Sequence, residues 1–164
     1  MFHQHLPKRG KILDIGCGNG FMSYMLKYLS PEREIFGIDY DEEKTDLAQH
    51  IYSRKKGLNF AHADILNFEF EKYDGIIIAD VLHYLQPEQQ KATIIKCFKS
   101  LNPGGTLIIR DGNAEMQQRH KGTKLTEFFS TKVFSFNKTS SEGLSFLSAG
   151  MIHDLASEFN MAVE

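Results

Sequence analysis

Apolar positions along this chain follow two periods. Short branched runs alternate with longer segments in which apolar residues recur every three or four positions. Ile12, Leu13 and Ile15 have the character of a strand buried on both faces. Comparable runs recur in FGIDYD (36–41), LNFAHAD (58–64), YDGIIIADVLHYL (73–85) and LNPGGTLIIRDG (101–112). Helical segments separate them. The first runs from Phe21 to Leu29 and is stopped by Ser30-Pro31. Asp41 is a plausible N-cap for a second, reaching about Arg54, with Leu47 and Ile51 expected on its buried side. Pro87 suits the first turn of a third. There Ile94, Phe98 and Leu101 keep helical spacing until Asn102-Pro103-Gly104-Gly105 ends it. A last helix is expected from about Ser148 to Phe159. Strict alternation of strand and helix implies right-handed crossovers and an α/β, doubly wound, mainly parallel sheet with helices on both faces. Ligands in such sheets bind beyond the C-terminal strand ends, where Gly16, Asp39, Asp64 and Asp80 all fall.

The first of these ends carries the most chemistry. ILDIGCGNG (12–20) places Gly16, Gly18 and Gly20 at alternating positions between a strand and a helix. Backbone N–H groups and the helix dipole there can face the anionic end of a ligand. The dinucleotide fingerprint wants a small third residue where this chain has Phe21, so the spacing disfavours a nicotinamide-dependent dehydrogenase. An ordinary tight turn without a ligand is the plain alternative, and the later strand ends argue against it. Asp39 stands nineteen residues beyond Gly20, where an α/β nucleotide site keeps its ribose acceptor. The Tyr40 ring could lie against adenine, and Asp64 could accept the adenine amino group.

The pattern D-x-G-x-G-x-G, with these strand ends in order over 11–112, resembles motif I and its companions in class I S-adenosylmethionine (SAM)-dependent methyltransferases. The resemblance implies a Rossmann-like fold, SAM as cofactor and S-adenosylhomocysteine (SAH) as product. It implies cofactor contacts from Asp14, Gly16, Cys17, Gly18, Gly20, Asp39, Tyr40, Asp64, Ile65, Ala79 and Asp80. Asp14 would order the glycine turn and reach the methionine amine through water, and the Ala79 backbone would accept that amine. At finer grain, GFMSYML, SPEREIFGIDYDEEK, EKYDGIIIADVLHYLQPEQQ, LIIRDG and RHKGTKLTEFFSTKVFSFNKT look like the C-terminal methyltransferase portion of certain Bacteroidetes proteins. Those proteins join a transporter, a lysophospholipid acyltransferase and this domain. That likeness implies a lipid-related acceptor and a tether at the inner membrane outside this chain.

Composition adds limits. The 164 residues, 41% hydrophobic, suffice for a single domain. A net charge of −2 gives no basic footprint for nucleic acid, and KRGK (8–11) reads as a solvated lead-in. No apolar run approaches the roughly 18 residues of a membrane span, and no signal pattern opens the chain, so a cytoplasmic protein is expected. Cys17 and Cys97 have no metal or redox spacing and read as free thiols. His3, His5, His50, His62 and His153 have no partner at ligand spacing, so no metal is expected.

Within this single domain, 1–10 is the lead-in, 11–112 the cofactor-binding core, 113–147 a candidate substrate lid, and 148–164 the last helix with the start of a sixth strand. Leu125, Phe128, Phe129, Val133 and Phe136 can share a helical face, although VFSF could equally be a strand, and the segment could be a surface excursion. The fold normally continues through a seventh strand beside the fifth, so the chain is expected to stop short of it. An exposed fifth-strand edge would then favour dimers.

In-line methyl transfer needs mainly alignment. A general base, where the acceptor has a proton to lose, could be Asp80, His83, Asp111 or, more remotely, His120. His83 ranks first because it follows Asp80 over the expected methyl position; the competing reading has it packed under the loop. Three functions stay open: a methyltransferase, a SAM- or SAH-binding module without turnover, and, less favoured, the dehydrogenase. The acceptor is expected to be a small molecule or lipid-related.

Overall fold

The computed structural model describes residues 2–51, 55–112 and 148–164. Its strands are β1 (Gly10–Ile15), β2 (Arg33–Asp39), β3 (Leu58–His62), β4 (Tyr73–Ala79) and β5 (Leu101–Arg110). Its helices are α1 (Phe21–Leu29), α2 (Glu42–Gln49), α3 (Pro87–Ser100) and α4 (Ala149–Glu158), with single 3-10 turns at Phe2–Gln4 and Leu82–Tyr84. The five strands pair in parallel in the order β3-β2-β1-β4-β5. From β1 the chain winds outward to β3, then returns to β4 on the other side. The order therefore reverses between β1 and β4, the switch point where a crevice opens at the C-terminal strand ends.

Alternation along the central strands explains the two layers. On one face Ile12, Ile35, Leu58 and Ile77 pack with Leu26 of α1 and Ala48 of α2. On the other, Leu13, Ile15, Ile38, Ile76 and Ile78 pack with Ile94 and Cys97 of α3 and Leu155 of α4. Each central strand is buried on both faces, as its branched composition requires. A buried Arg33 fastens the N-terminal turn to this core. Its guanidinium donates to the carbonyls of Pro7 (2.7 Å), Leu26 (3.1 Å) and Leu6 (3.2 Å).

Several boundaries differ from the sequence reading. Leu47 is 57% exposed rather than buried, and Thr45 and Ala48 face the core instead. The helix itself starts as expected, with the Asp41 carboxylate accepting from the N–H groups of Glu43 and Lys44. It ends at Gln49, whose side chain turns to accept the Phe60 N–H at 2.9 Å. β1 begins at Gly10, inside the expected lead-in, and β5 begins at Leu101. Its register passes from Tyr73↔Leu101 to Gly75↔Thr106, so Asn102 to Gly105 bulge out rather than simply turning. Residues 161–164, the expected start of a sixth strand, pair with none of the five described strands. α4 has the expected start, with the Ser148 hydroxyl accepting from Met151 N–H at 3.2 Å. The candidate lid, 113–147, including His120, lies outside the described residues.

Candidate functional site

The glycine turn is built by backbone bonds that leave one face open. Gly16 and Cys17 N–H groups donate to the Ile38 carbonyl at 2.8 and 3.0 Å, drawing the turn over the end of β2. Gly18 N–H donates to Asp39 Oδ2 at 2.7 Å, while Asp41 N–H donates to Asp39 Oδ1 at 2.9 Å. One carboxylate thus fixes both the turn and the exit from β2. An ionised carboxylate has about four acceptor sites, so roughly two remain for a diol. The glycines divide the labour. A Cβ on Gly18 would meet no atom within 4 Å. One on Gly20 would stand 2.6 Å from the Phe60 ring and 3.1 Å from the Ala48 methyl. Gly18 therefore borders the open space, and Gly20 seats α1 against β3 and α2.

A cavity of about 1020 Å³ spreads over these strand ends. Asp14, Gly16, Cys17, Gly18, Asp39, Tyr40, Asp64, Ile65, Ala79 and Asp80 all line it. Phe21, too large for a packing glycine's role, is exposed at its rim. Tyr40 stands edge-on to His62, ring centroids 6.2 Å apart. Asp64 accepts from Leu66 N–H (3.0 Å) and the Asn67 amide (2.8 Å), which anchors the loop after β3. Gly20 belongs to the packing rather than to the wall.

Asp14 is the electrostatic oddity. It is buried at the end of β1 and accepts a 2.6 Å bond from the Ser23 hydroxyl on α1. Burial pushes its carboxyl up to about 6, against the Ser23 bond and with a smaller push from Asp39. Burial likewise pushes the Cys97 thiol up to about 12, and burial, with Asp14 and Asp39 nearby, raises Cys17 further. Both cysteines are free and buried, and neither has the lowered pKa of a reactive thiol.

On the β4–β5 side, the candidate residues take different places. His83 is not on the cavity wall; Val81, Tyr84 and Leu85 form that stretch of it. The His83 side chain is 13% exposed, with Nδ1 2.6 Å from Asp111 Oδ1 and its ring 4.1 Å from that of Tyr84. It ties the loop after β4 to the residue after β5. Burial alone would raise the Asp111 carboxyl, but the His83 bond and charge, with N–H donors from Gly112 and His83, hold it below the usual range. Asp80 does face the cavity. It has φ 57, uncommon for a non-glycine residue, and its N–H donates to the Arg110 carbonyl at 2.8 Å. Its carboxylate forms an ion pair with the Arg110 guanidinium.

Two participants escaped the sequence reading. Ser23 carries no signal of its own in the sequence, and only tertiary packing brings it to Asp14. Arg110 had a visible signal, a lone cation closing an apolar strand whose end must reach the crevice.

Comparison with known proteins agrees with this geometry. Residues 6–150 match the methyltransferase domain family. The carboxy-S-adenosyl-L-methionine synthase of Campylobacter hominis is 26% identical over 107 residues, 65% of this chain and 46% of its own length. O-methyltransferase 3 of Dictyostelium discoideum is 30% identical over 154 residues, 78% of this chain and 35% of its own. The N-methyltransferase NodS from Bradyrhizobium japonicum WM9, solved with SAH, superposes with a TM-score of 0.54 at 30% identity. That match covers 62% of this chain and 52% of NodS. The chain spans about a third to a half of the length of the curated relatives it matches. With the family match extending over most of its length, the chain belongs to the methyltransferase domain family.

Proposed function

We propose that this chain transfers the methyl group of SAM, its cofactor, to a small-molecule or lipid-related acceptor. The observation that carries the reading is the open face of Gly18 beside Asp39 in the crevice at the switch point. There, a backbone without side chain can approach a ligand and a carboxylate can accept from its ribose. The residues present suit the group. Asp39 would hold the ribose, Tyr40 and Asp64 the adenine, with Cys17 and Ile65 packing beside them. Asp14 and the Ala79 carbonyl would face the cationic amino-acid end. NodS, bound to SAH, supports the cofactor assignment. When bound, the sulfonium supplies an activated methyl group that needs little chemical assistance. The chain's own contribution is to fix the ligand's orientation at the crevice, an effect worth roughly 7–11 kcal/mol in favourable cases.

The sequence likeness to the Bacteroidetes fusion proteins supports a lipid-related acceptor, a cytoplasmic position at the inner membrane and attachment to further domains. No helix among the described residues is long and apolar enough to cross a membrane. Incubation with methyl-labelled SAM and separated lipid and polar extracts tests the reading. Label should enter one acceptor fraction with the wild type and drop at least tenfold with Asp39→Ala. Tight SAH binding without label in either fraction would favour a binding module over an enzyme.

A further inference from the structure

We propose that the Arg110–Asp80 pair holds the amino-acid end of the cofactor, with Arg110 taking its carboxylate and Asp80 joining Asp14 and the Ala79 carbonyl around its ammonium; this rests on the cofactor reading above. SAM and SAH end in a zwitterion. A carboxylate drawn from water needs charged or N–H donors. Asp14, Asp39, Asp64 and Asp80 make the cavity wall acidic, so a cationic donor on it stands out. Its lysine and arginine side chains among the described residues are Lys44 and Arg110. Lys44 belongs to α2, on the ribose side, with Nζ 3.7 Å from Asp41 Oδ2. Arg110 closes β5, on the opposite side of the switch point. With Asp39 and Asp64 holding the nucleoside over the ends of β2 and β3, the amino-acid end would extend past the β1 turn toward β4 and β5. That direction leads to Asp80 and Arg110.

The pair is built rather than incidental. Arg110 is in register with Ala79, and its carbonyl receives the Asp80 N–H at 2.8 Å. The guanidinium carbon lies 5.5 Å from the centre of the Phe2 ring, on the turn that Arg33 fastens to the core. Its orientation is therefore set from two sides. Asp80 meanwhile sits at φ 57, a conformation uncommon outside glycine that aims its side chain into the crevice. Among the described residues the guanidinium donates to Asp80 through one terminal nitrogen. A guanidinium has five N–H donors, so the rest can meet a carboxylate. Side-by-side opposite charges, about half exposed in both partners, complement a zwitterion laid against them.

Calorimetry on the whole chain tests this with SAH and 5′-methylthioadenosine, which shares the nucleoside and sulfur but lacks the amino-acid end. Arg110→Met should weaken SAH by roughly 10–100-fold and leave methylthioadenosine unchanged. Arg110→Lys, keeping the charge but losing the fork, should fall between. The proposal is overturned if Arg110→Met binds SAH as the wild type does. It is equally overturned if both ligands weaken together, since that would mark a general loss of structure. Wild-type protein that binds neither ligand would instead remove the cofactor reading, and this proposal with it.

Discussion

Asp14 shows how one buried side chain makes stability depend on pH. Its folded-state pKa of about 6 lies above the ordinary carboxylate value. Between those two values the folded chain binds more protons than the unfolded chain. The resulting stabilisation is complete below about pH 4 and lost as pH rises through 6, on the order of 3 kcal/mol. Asp111 acts in the opposite sense, because its lowered pKa adds stability above the usual carboxylate range that disappears on acidification. Asp14→Asn isolates the first effect while preserving an acceptor for Ser23. The melting temperature of this variant should gain on the wild type from about pH 4 to about 6 and level off above it; a constant difference would show that Asp14 does not titrate there. His83 gives a second prediction at this scale. His83→Gln should keep SAH affinity and lose about 1.5–3 kcal/mol of stability, the worth of a hydrogen bond to a charged group. A 10²-fold loss of turnover at unchanged stability would return His83 to the role of proton acceptor.

The junction of β1, the glycine turn and α1 separates folding from binding within three residues. Gly20 has φ 77 and its missing Cβ is the space taken by Phe60 and Ala48. Gly20→Ala should therefore destabilise the chain by about 1–3 kcal/mol, through overpacking and backbone strain, as read by thermal melts. Gly18 faces the cavity with no protein atom close by. Gly18→Val, strained at φ 52 but free of clashes, should melt lower yet still fold, by circular dichroism, and fail to bind SAH; normal titration by a folded Gly18→Val protein would put the ligand elsewhere. The elements around this junction were legible because each had a local cause. Phe21 to Leu29 carries a helical period ended by Ser30-Pro31, and Asp41 has the side chain of an N-cap. Leu47 was misread because a four-residue spacing with Ile51 resembles a buried stripe. The core-facing positions of that helix are small ones, Thr45 and Ala48, which periodicity of large apolar residues does not mark.

Across the whole molecule, chain order revealed the parallel architecture, and the rule that ligands gather at C-terminal strand ends located the crevice. Ten residues named from sequence line it. Side-chain pairings were not legible: Ser23 with Asp14 depends on how α1 packs on β1, and Arg110 with Asp80 and His83 with Asp111 on how β4 and β5 are brought together. The central claim is that this crevice selects a SAM-type ligand over a dinucleotide. Calorimetric titration of the wild type and Asp39→Ala with SAH and with NAD tests it most directly. The wild type should bind SAH and not NAD. Loss of an ionised acceptor of two ribose bonds should weaken SAH on the order of 10²-fold in Asp39→Ala. Binding of NAD by the wild type, or equal SAH affinity in both proteins, would contradict the account.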